Sequence, residues 1–277
     1  MRIHHLDCAT LCPFGGRLVS GEGPLFACAE LVCHCLLIET DHQGLVLVDT
    51  GIGLADVANP RSTLGLGFEL TTRPVLDVEQ TAARAVERLG FARKDVRHIV
   101  LTHADLDHAG GLPDFPHAKV HVTRDEHDAV VARATFKEKE RYRLPHFAHG
   151  PAWETYTTTG EPWFGFGAVR SLVGLPPEIL LIPLAGHTRG HAAVAVKDGD
   201  GWLLHAGDAY FSRHTVDPSS PTAPAMDFFE RLVALDYARV RTNHERLREL
   251  HARHGHEVRI FCAHDPREMP RAQTSAS

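Results

Sequence analysis

Four side chains able to bind a metal, His103, Asp105, Asp107 and His108, fall within six positions directly behind the apolar run Ile99-Val100-Leu101. A strand that stops and then places two imidazoles and two carboxylates on one short loop gathers nitrogen and oxygen donors around a small volume, as a hydrolytic metal site requires. Three later segments repeat the pattern. Ile179 to Leu184 runs into Ala185-Gly186-His187, Trp202-Leu203-Leu204 into Ala206-Gly207-Asp208, and Val258 to Cys262 into Ala263-His264-Asp265. Short apolar runs bounded by Gly or Pro read as strands buried on both faces, and the carboxyl ends of such strands commonly carry a site. Summed, the four strand ends offer His103, Asp105, Asp107, His108, His187, Asp208 and His264. That is too many donors for one tetrahedral zinc and suits two ions sharing a bridging carboxylate.

The metal loop followed by Ala109-Gly110-Gly111, the segment from Gly186 to His191, the Ala206-Gly207-Asp208 turn and the upstream Val46-Leu47-Val48-Asp49-Thr50-Gly51 together resemble the metallo-β-lactamase superfamily, over residues 30 to 265. Within it, the chain length, the long segment between His108 and His187 and the terminal His264-Asp265 are most similar to the N-acyl-homoserine lactone lactonases. The resemblance implies an α/β fold, a four-layer αββα sandwich with the metals at one edge between the sheets. It also implies a ligand set. One ion would take His103, the residue at 105 and His187; the other would take Asp107, His108 and His264; Asp208 would bridge them.

The implied cofactors are two divalent metal ions, zinc by resemblance. Most lactonases carry histidine where this chain has Asp105, a pattern shared with some phosphodiesterase-like branches. Asp105, Asp107 and Asp208 with a bridging hydroxide would neutralise two divalent ions, so the centre should attract anions less, and the added oxygen donor shifts preference toward iron or manganese.

The implied reaction is hydrolysis of an ester-like bond, a lactone, by attack of a metal-bridging hydroxide, with Asp107 relaying the proton to the leaving oxygen. Tyr210 is the second catalytic candidate; lactonases place a carbonyl-polarising tyrosine one position later, at Phe211 here. Asp49 is expected to orient a ligand histidine, and His191 to support the His187 loop. The nearest alternative is a phosphodiester or phosphotriester hydrolase. A di-iron redox protein is a further one, though such members usually carry glutamate at the position of Asp105 and need a flavin domain alongside.

The elements that must position these groups are legible as patterns. Leu31 to Glu39 and Leu45 to Asp49, separated by Asp41-His42-Gln43-Gly44, form a hairpin. A helix starts near Asp77, with Gln80 completing a capping box, and stops at Gly90. Thr123 and Glu126 cap a helix reaching Ala134, and a last helix runs from Thr242 to Gly255. The stretch from Ala58 to Pro74, with Leu64, Leu66, Phe68 and Leu70, reads as a loop walling the site. Residues 137 to 177 read as a covering loop or hairpin. Candidate pocket-wall residues are Phe26, Phe68, Phe147, Trp163, Phe228 and Phe229.

A chain of 277 residues with 43% hydrophobic content can bury a large core, and the absence of a linker favours one domain over 1–277. A net charge of −6 without a dense Lys/Arg run argues against a nucleic-acid partner. No membrane-span pattern or export signal is seen, so the expected location is cytoplasmic and the six cysteines, at 8, 12, 28, 33, 35 and 262, are expected to be reduced. Cys33 and Cys35 read as core packing, and the tail from Pro266 onward as frayed. The expected partners are a small-molecule substrate and, through the aromatic segment at 137–177, a second copy of the chain in a homodimer.

Overall fold

Strands that are apolar on both faces need cover on both sides, and two stacked sheets flanked by helices supply it. The computed structural model describes residues 1–166 and 170–270, so the end of the tail expected to fray lies outside the described residues. In chain order the strands are β1 (Arg2–Leu11), β2 (Leu31–Glu39), β3 (Leu45–Val48), β4 (Pro74–Val75), β5 (Val96–Val100), β6 (Lys119–Thr123), β7 (Ala152–Tyr156), β8 (Arg170–Ser171), β9 (Ile179–Pro183), β10 (Ala192–Asp198), β11 (Gly201–His205) and β12 (Val258–Phe261). The larger sheet runs β4-β1-β2-β3-β5-β6-β7 and the smaller β12-β11-β10-β9-β8.

The period-two geometry of a strand divides each apolar run between two cores. In β2, Cys35 and Leu37 pack outward with Ala82, Ala83 and Val86 of the helix Ala82–Arg88, whereas Leu36 and Ile38 pack inward with Leu181, Val194 and Leu203 of the other sheet. In β9, Ile179 and Leu181 join that inner core, and Leu180 and Ile182 meet Leu247 and Leu250 of the helix Tyr237–His254. The layers are therefore helix, sheet, sheet, helix, as the resemblance implied. Leu36, Leu37 and Ile38 are fully buried, each contributing about 1.5–3 kcal/mol of transfer free energy. Among the described residues no helix is long and apolar enough to cross a membrane.

Several local expectations shift. Asp77 caps only a 3-10 turn, Val78–Gln80, and the helix starts at Ala82 with Thr81 as its cap. Gln80 closes no capping box because its amide donates to Thr10 Oγ1 of β1 at 2.9 Å. The last helix begins at Tyr237 behind Asp236, upstream of Thr242. The supposed loop after Ala58 contains the helices Pro60–Thr63 and Leu66–Thr72; Leu64 enters the core while Leu66 and Leu70 are exposed. Pro266–Glu268 is an ordered turn, not frayed chain, because the buried Glu268 carboxylate accepts the Cys262 N–H.

A buried polar pair sits away from the strand ends. His121 Nε2 lies 2.8 Å from His98 Nδ1, and its Nδ1 lies 2.7 Å from the Tyr156 hydroxyl. Burial, and secondarily the neighbouring His98, push the His121 pKa down to about 3. Folding thus favours neutral His121: the contribution is complete above the unfolded value near 6.5 and is lost as pH falls through 6.5 toward 3. Denaturant unfolding at pH 7 and pH 5 should show an acid-side loss about 2 kcal/mol larger in the wild type than in His121→Gln. Equal losses in the two proteins would mean that His121 is not held neutral.

Candidate metal centre

The metal loop starts where β5 ends, and a residue on the neighbouring strand organises it. Asp49 follows β3 with φ 58°, a left-handed conformation that Asp tolerates better than most side chains. Its N–H donates to Val100 O, and its carboxylate accepts the Thr102 N–H (2.8 Å), the Thr102 hydroxyl (2.7 Å) and His108 Nδ1–H (2.8 Å). His108 therefore turns Nε2 toward the centre, as the expected role of Asp49 requires. His103 Nδ1 is 3.0 Å from Thr102 Oγ1, whose own proton goes to Asp49, and so the imidazole donates there. His264 Nδ1 donates to Val32 O at 2.8 Å.

His191 closes the His187 loop onto Leu184, as expected, and reaches the Asp208 turn as well. It donates from Nδ1 to Leu184 O and accepts the Asp208 N–H at Nε2 (3.0 Å), clamping the Asp208 turn onto the end of β9. Burial, with the adjacent His103, holds it neutral as that tautomer demands. The turn needs Gly207, because with φ 55° a Cβ there would lie 2.8 Å from His191 Nε2 and from Thr102 Cβ.

All seven expected donors meet. Asp208 lies at the middle: Oδ2 is 3.4 Å from His187 Nε2 and 3.7 Å from His103 Nε2, while Oδ1 is 3.2 Å from His108 Nε2 and 3.3 Å from His264 Nε2. Asp105 Oδ2 joins the first side, 3.0 Å from His187 Nε2 and 3.5 Å from His103 Nε2. Asp107 Oδ2 joins the second, 3.6 Å from His264 Nε2. The buried atoms His103 Nε2, His108 Nε2, Asp105 Oδ1 and Asp208 Oδ1 have no hydrogen-bond partner. Buried polar atoms are seldom left so, and lone pairs aimed at a shared point fit a cation. This chain therefore carries a divalent metal site, with donors suited to one.

The charges of the donors mark the same centre. Burial alone would raise the Asp208 carboxyl, but His264 and His108 hold it well below the usual range. Against burial, Asp208 lifts His264 to about 10, and Asp208 and Asp49 lift His108 well above its ordinary value. The same carboxylate field that favours positive charge on these imidazoles favours a cation between them, and a bound ion would require both rings neutral.

Four contributors were not read from the sequence as parts of the site. Arg141, at the end of the helix Phe136–Arg141, reaches Asp105 Oδ2 at 2.5 Å, and its other nitrogen donates to Val233 O. Burial would raise the Asp105 carboxyl, but Arg141 overrides it and holds it well below the usual range. The charge that Asp105 withdraws is thereby restored, which corrects the expected neutral centre. Glu126 caps nothing with its carboxylate; it accepts the N–H groups of Ala104 and Gly190 at 3.0 Å each, tying the metal loop to the His187 loop. Phe211 stacks edge-on to His187, with ring centroids 5.6 Å apart, and lies 5.7 Å from His264. Cys33, expected only as packing, puts its sulfur within 4.8 Å of donor atoms of Asp107 and His264. The signals for these lay in single residues without a motif around them.

Tyr210 does not fit the catalytic role expected of it. Its ring is fully buried in the outer core of the smaller sheet, and its hydroxyl donates to the Glu268 carboxylate at 3.0 Å. Phe211, the next residue, takes the face toward the imidazoles. The expected pocket walls also divide. Phe68 and Phe229 pack with Phe211 and Leu106 beside the centre, Phe147 and Trp163 belong to outer cores, and Phe26 and Phe228 are exposed.

Comparison with known proteins agrees with this geometry. The family model described as the metallo-beta-lactamase superfamily matches residues 29–244. A probable metallo-hydrolase of Mycobacterium tuberculosis is 43% identical over 266 residues, covering 96% of this chain and 81% of that protein. An N-acyl homoserine lactonase of Bacillus thuringiensis is 25% identical over 195 residues, covering 70% of each. A solved N-acyl homoserine lactone hydrolase with N-hexanoyl-L-homoserine at its catalytic metal centre superposes with a TM-score of 0.69 at 22% identity, covering 96% of this chain and 94% of the other. The matched family, the two-sheet fold and the converging donors make this chain a metal-dependent hydrolase of the metallo-β-lactamase superfamily.

Proposed function

We propose that the protein hydrolyses a lactone, using two divalent ions, zinc in the first instance, held by His103, Asp105 and His187 on one side and by Asp107, His108 and His264 on the other. The observation that carries this reading is the division of Asp208, one oxygen toward each set of imidazoles. Ions so held supply an activated water and a Lewis acid for the carbonyl oxygen. Asp49 and Thr102 keep His108 and His103 presenting Nε2, and Asp107, 3.6 Å from His264, is placed to pass a proton to the leaving oxygen.

The lactone is favoured over other esters by the surroundings and by the named relatives. Phe211, Leu106, Phe68 and Phe229 make one side of the centre apolar, which suits an acyl chain beside a small polar ring. Several relatives are named N-acyl homoserine lactonases, and one solved relative is called a dizinc lactonase. With Tyr210 turned to Glu268, no tyrosine hydroxyl is assigned to the carbonyl; Phe211 shields it from water instead.

A panel of N-acyl lactones, phosphodiesters, phosphotriesters and thioesters, each assayed after reconstitution with zinc, manganese or iron, tests the reading. Turnover of lactones well above the rest supports it. Preferred turnover of a phosphorus ester would overturn the lactone assignment and move the reading to the alternative that Asp105 suggests.

A further inference from the structure

The two halves of the centre differ in what stands beside the shared donors. On the His103 side, the guanidinium of Arg141 is not peripheral: Nη1 is 2.5 Å from Asp105 Oδ2 and 3.0 Å from His187 Nε2, so it approaches two of the three atoms that would grip an ion there. It is held from behind by Val233 O, and its side chain is only 10% exposed. A fixed positive charge inside a poorly solvated ligand set repels a divalent cation, and it uses the carboxylate oxygen that the cation needs.

On the other side the extra group is a thiol. Cys33 is 2% exposed, and its sulfur, a carboxylate oxygen of Asp107 and a ring nitrogen of His264 all lie within 4.8 Å of one another. The backbone enforces this. Val32 N donates to His264 O, His34 N donates to Ala263 O, and His264 Nδ1 donates to Val32 O, so β2 is stitched to the turn after β12 on both sides of Cys33. The Cys33 N–H is anchored on Asp7 Oδ1 at 3.3 Å. A buried sulfur clamped beside a carboxylate and an imidazole forms a mixed sulfur, oxygen and nitrogen set of the kind zinc and cobalt accept.

We propose that the two metal positions are unequal: the one formed by Asp107, His108, Asp208 and His264 takes the Cys33 thiolate as an added ligand and fills first, while Arg141 keeps the one at His103, Asp105 and His187 weak. On binding, the Cys33 proton leaves to solvent as the sulfur–metal bond forms. The inference rests on the metal-hydrolase reading and is independent of which substrate is cleaved.

Titrating the metal-stripped protein with cobalt(II), followed by absorption and calorimetry, tests it. The first equivalent should bring a near-ultraviolet sulfur-to-cobalt charge-transfer band and bind at least about tenfold tighter than the second. Cys33→Ser should abolish the band while still binding cobalt. Arg141→Met should tighten the second equivalent by about tenfold and leave the band of the first in place. Because Arg141 is buried and its loss can impair folding, the wild-type and Cys33→Ser titrations decide the Cys33 ligand and the order of filling by themselves, and a folded Arg141→Met protein whose second equivalent binds as in the wild type would overturn the role of Arg141. Two equivalents of like affinity, or a first equivalent without a sulfur band, would overturn the proposal. A substrate panel without lactone turnover would leave these titrations unaffected, so the two readings fail separately.

Discussion

Asp208→Asn is expected to lower kcat/KM by at least about 10³-fold, on the order of 4 kcal/mol of barrier, in a chain that remains folded. The reason lies in its position. Asp208 presents one oxygen to His187 and His103 and the other to His108 and His264. An asparagine of the same shape keeps one acceptor but turns an NH₂ toward the other imidazole pair, and an NH₂ cannot bind a cation. The main chain of the turn stays held by His191 through the residue-208 N–H and by Phe261 O through Ala206. Loss of the counter-charge lets His108 and His264 become neutral, so no buried charge is stranded. Melting temperature, bound metal and hydrolysis measured on one preparation separate the effects. A variant with unchanged fold, full metal content and near-wild-type turnover would remove Asp208 from the mechanism.

Asp49→Asn is expected to weaken metal binding by about 10- to 100-fold, with activity partly restored at saturating metal. Asparagine accepts the left-handed conformation at position 49, so the backbone is spared. What changes is the proton pattern. Asp49 takes three donors, from Thr102 N, Thr102 Oγ1 and His108 Nδ1. With the asparagine NH₂ facing His108, the imidazole must accept at Nδ1 and carry its proton on Nε2, the atom meant for the ion. Recovery of rate with added metal marks a positioning role, which a merely destabilised fold would not show. Unchanged metal affinity in the asparagine variant would refute this account.

The seven donors that converge were readable because chemistry of this kind leaves local traces. His103, Asp105, Asp107 and His108 share one loop, and His187, Asp208 and His264 each follow an apolar run, so type and spacing identified them before any geometry was known. The layered fold was readable for a related reason: β2, apart from His34 and Glu39, and β9 are apolar on both faces, which a strand covered on both sides tolerates. Less regular stretches were misread. The segment after Ala58 forms two short helices, and Gln80 left its capping box for Thr10, because contacts with distant strands outweighed local preference.

Composition and order along the chain therefore determined the donor types, the strand-end placement and the two-sided burial. The tertiary structure alone decided which lone residues join them: Arg141 from a helix end, Cys33 from β2, Glu126 beneath two loops, and Phe211 in place of Tyr210. No sequence period announces such residues, since each reaches the centre only through contacts with segments distant in the chain. Whether a buried charge or thiol acts on a metal depends on ångström-scale distance, which falls out of packing and not of spacing.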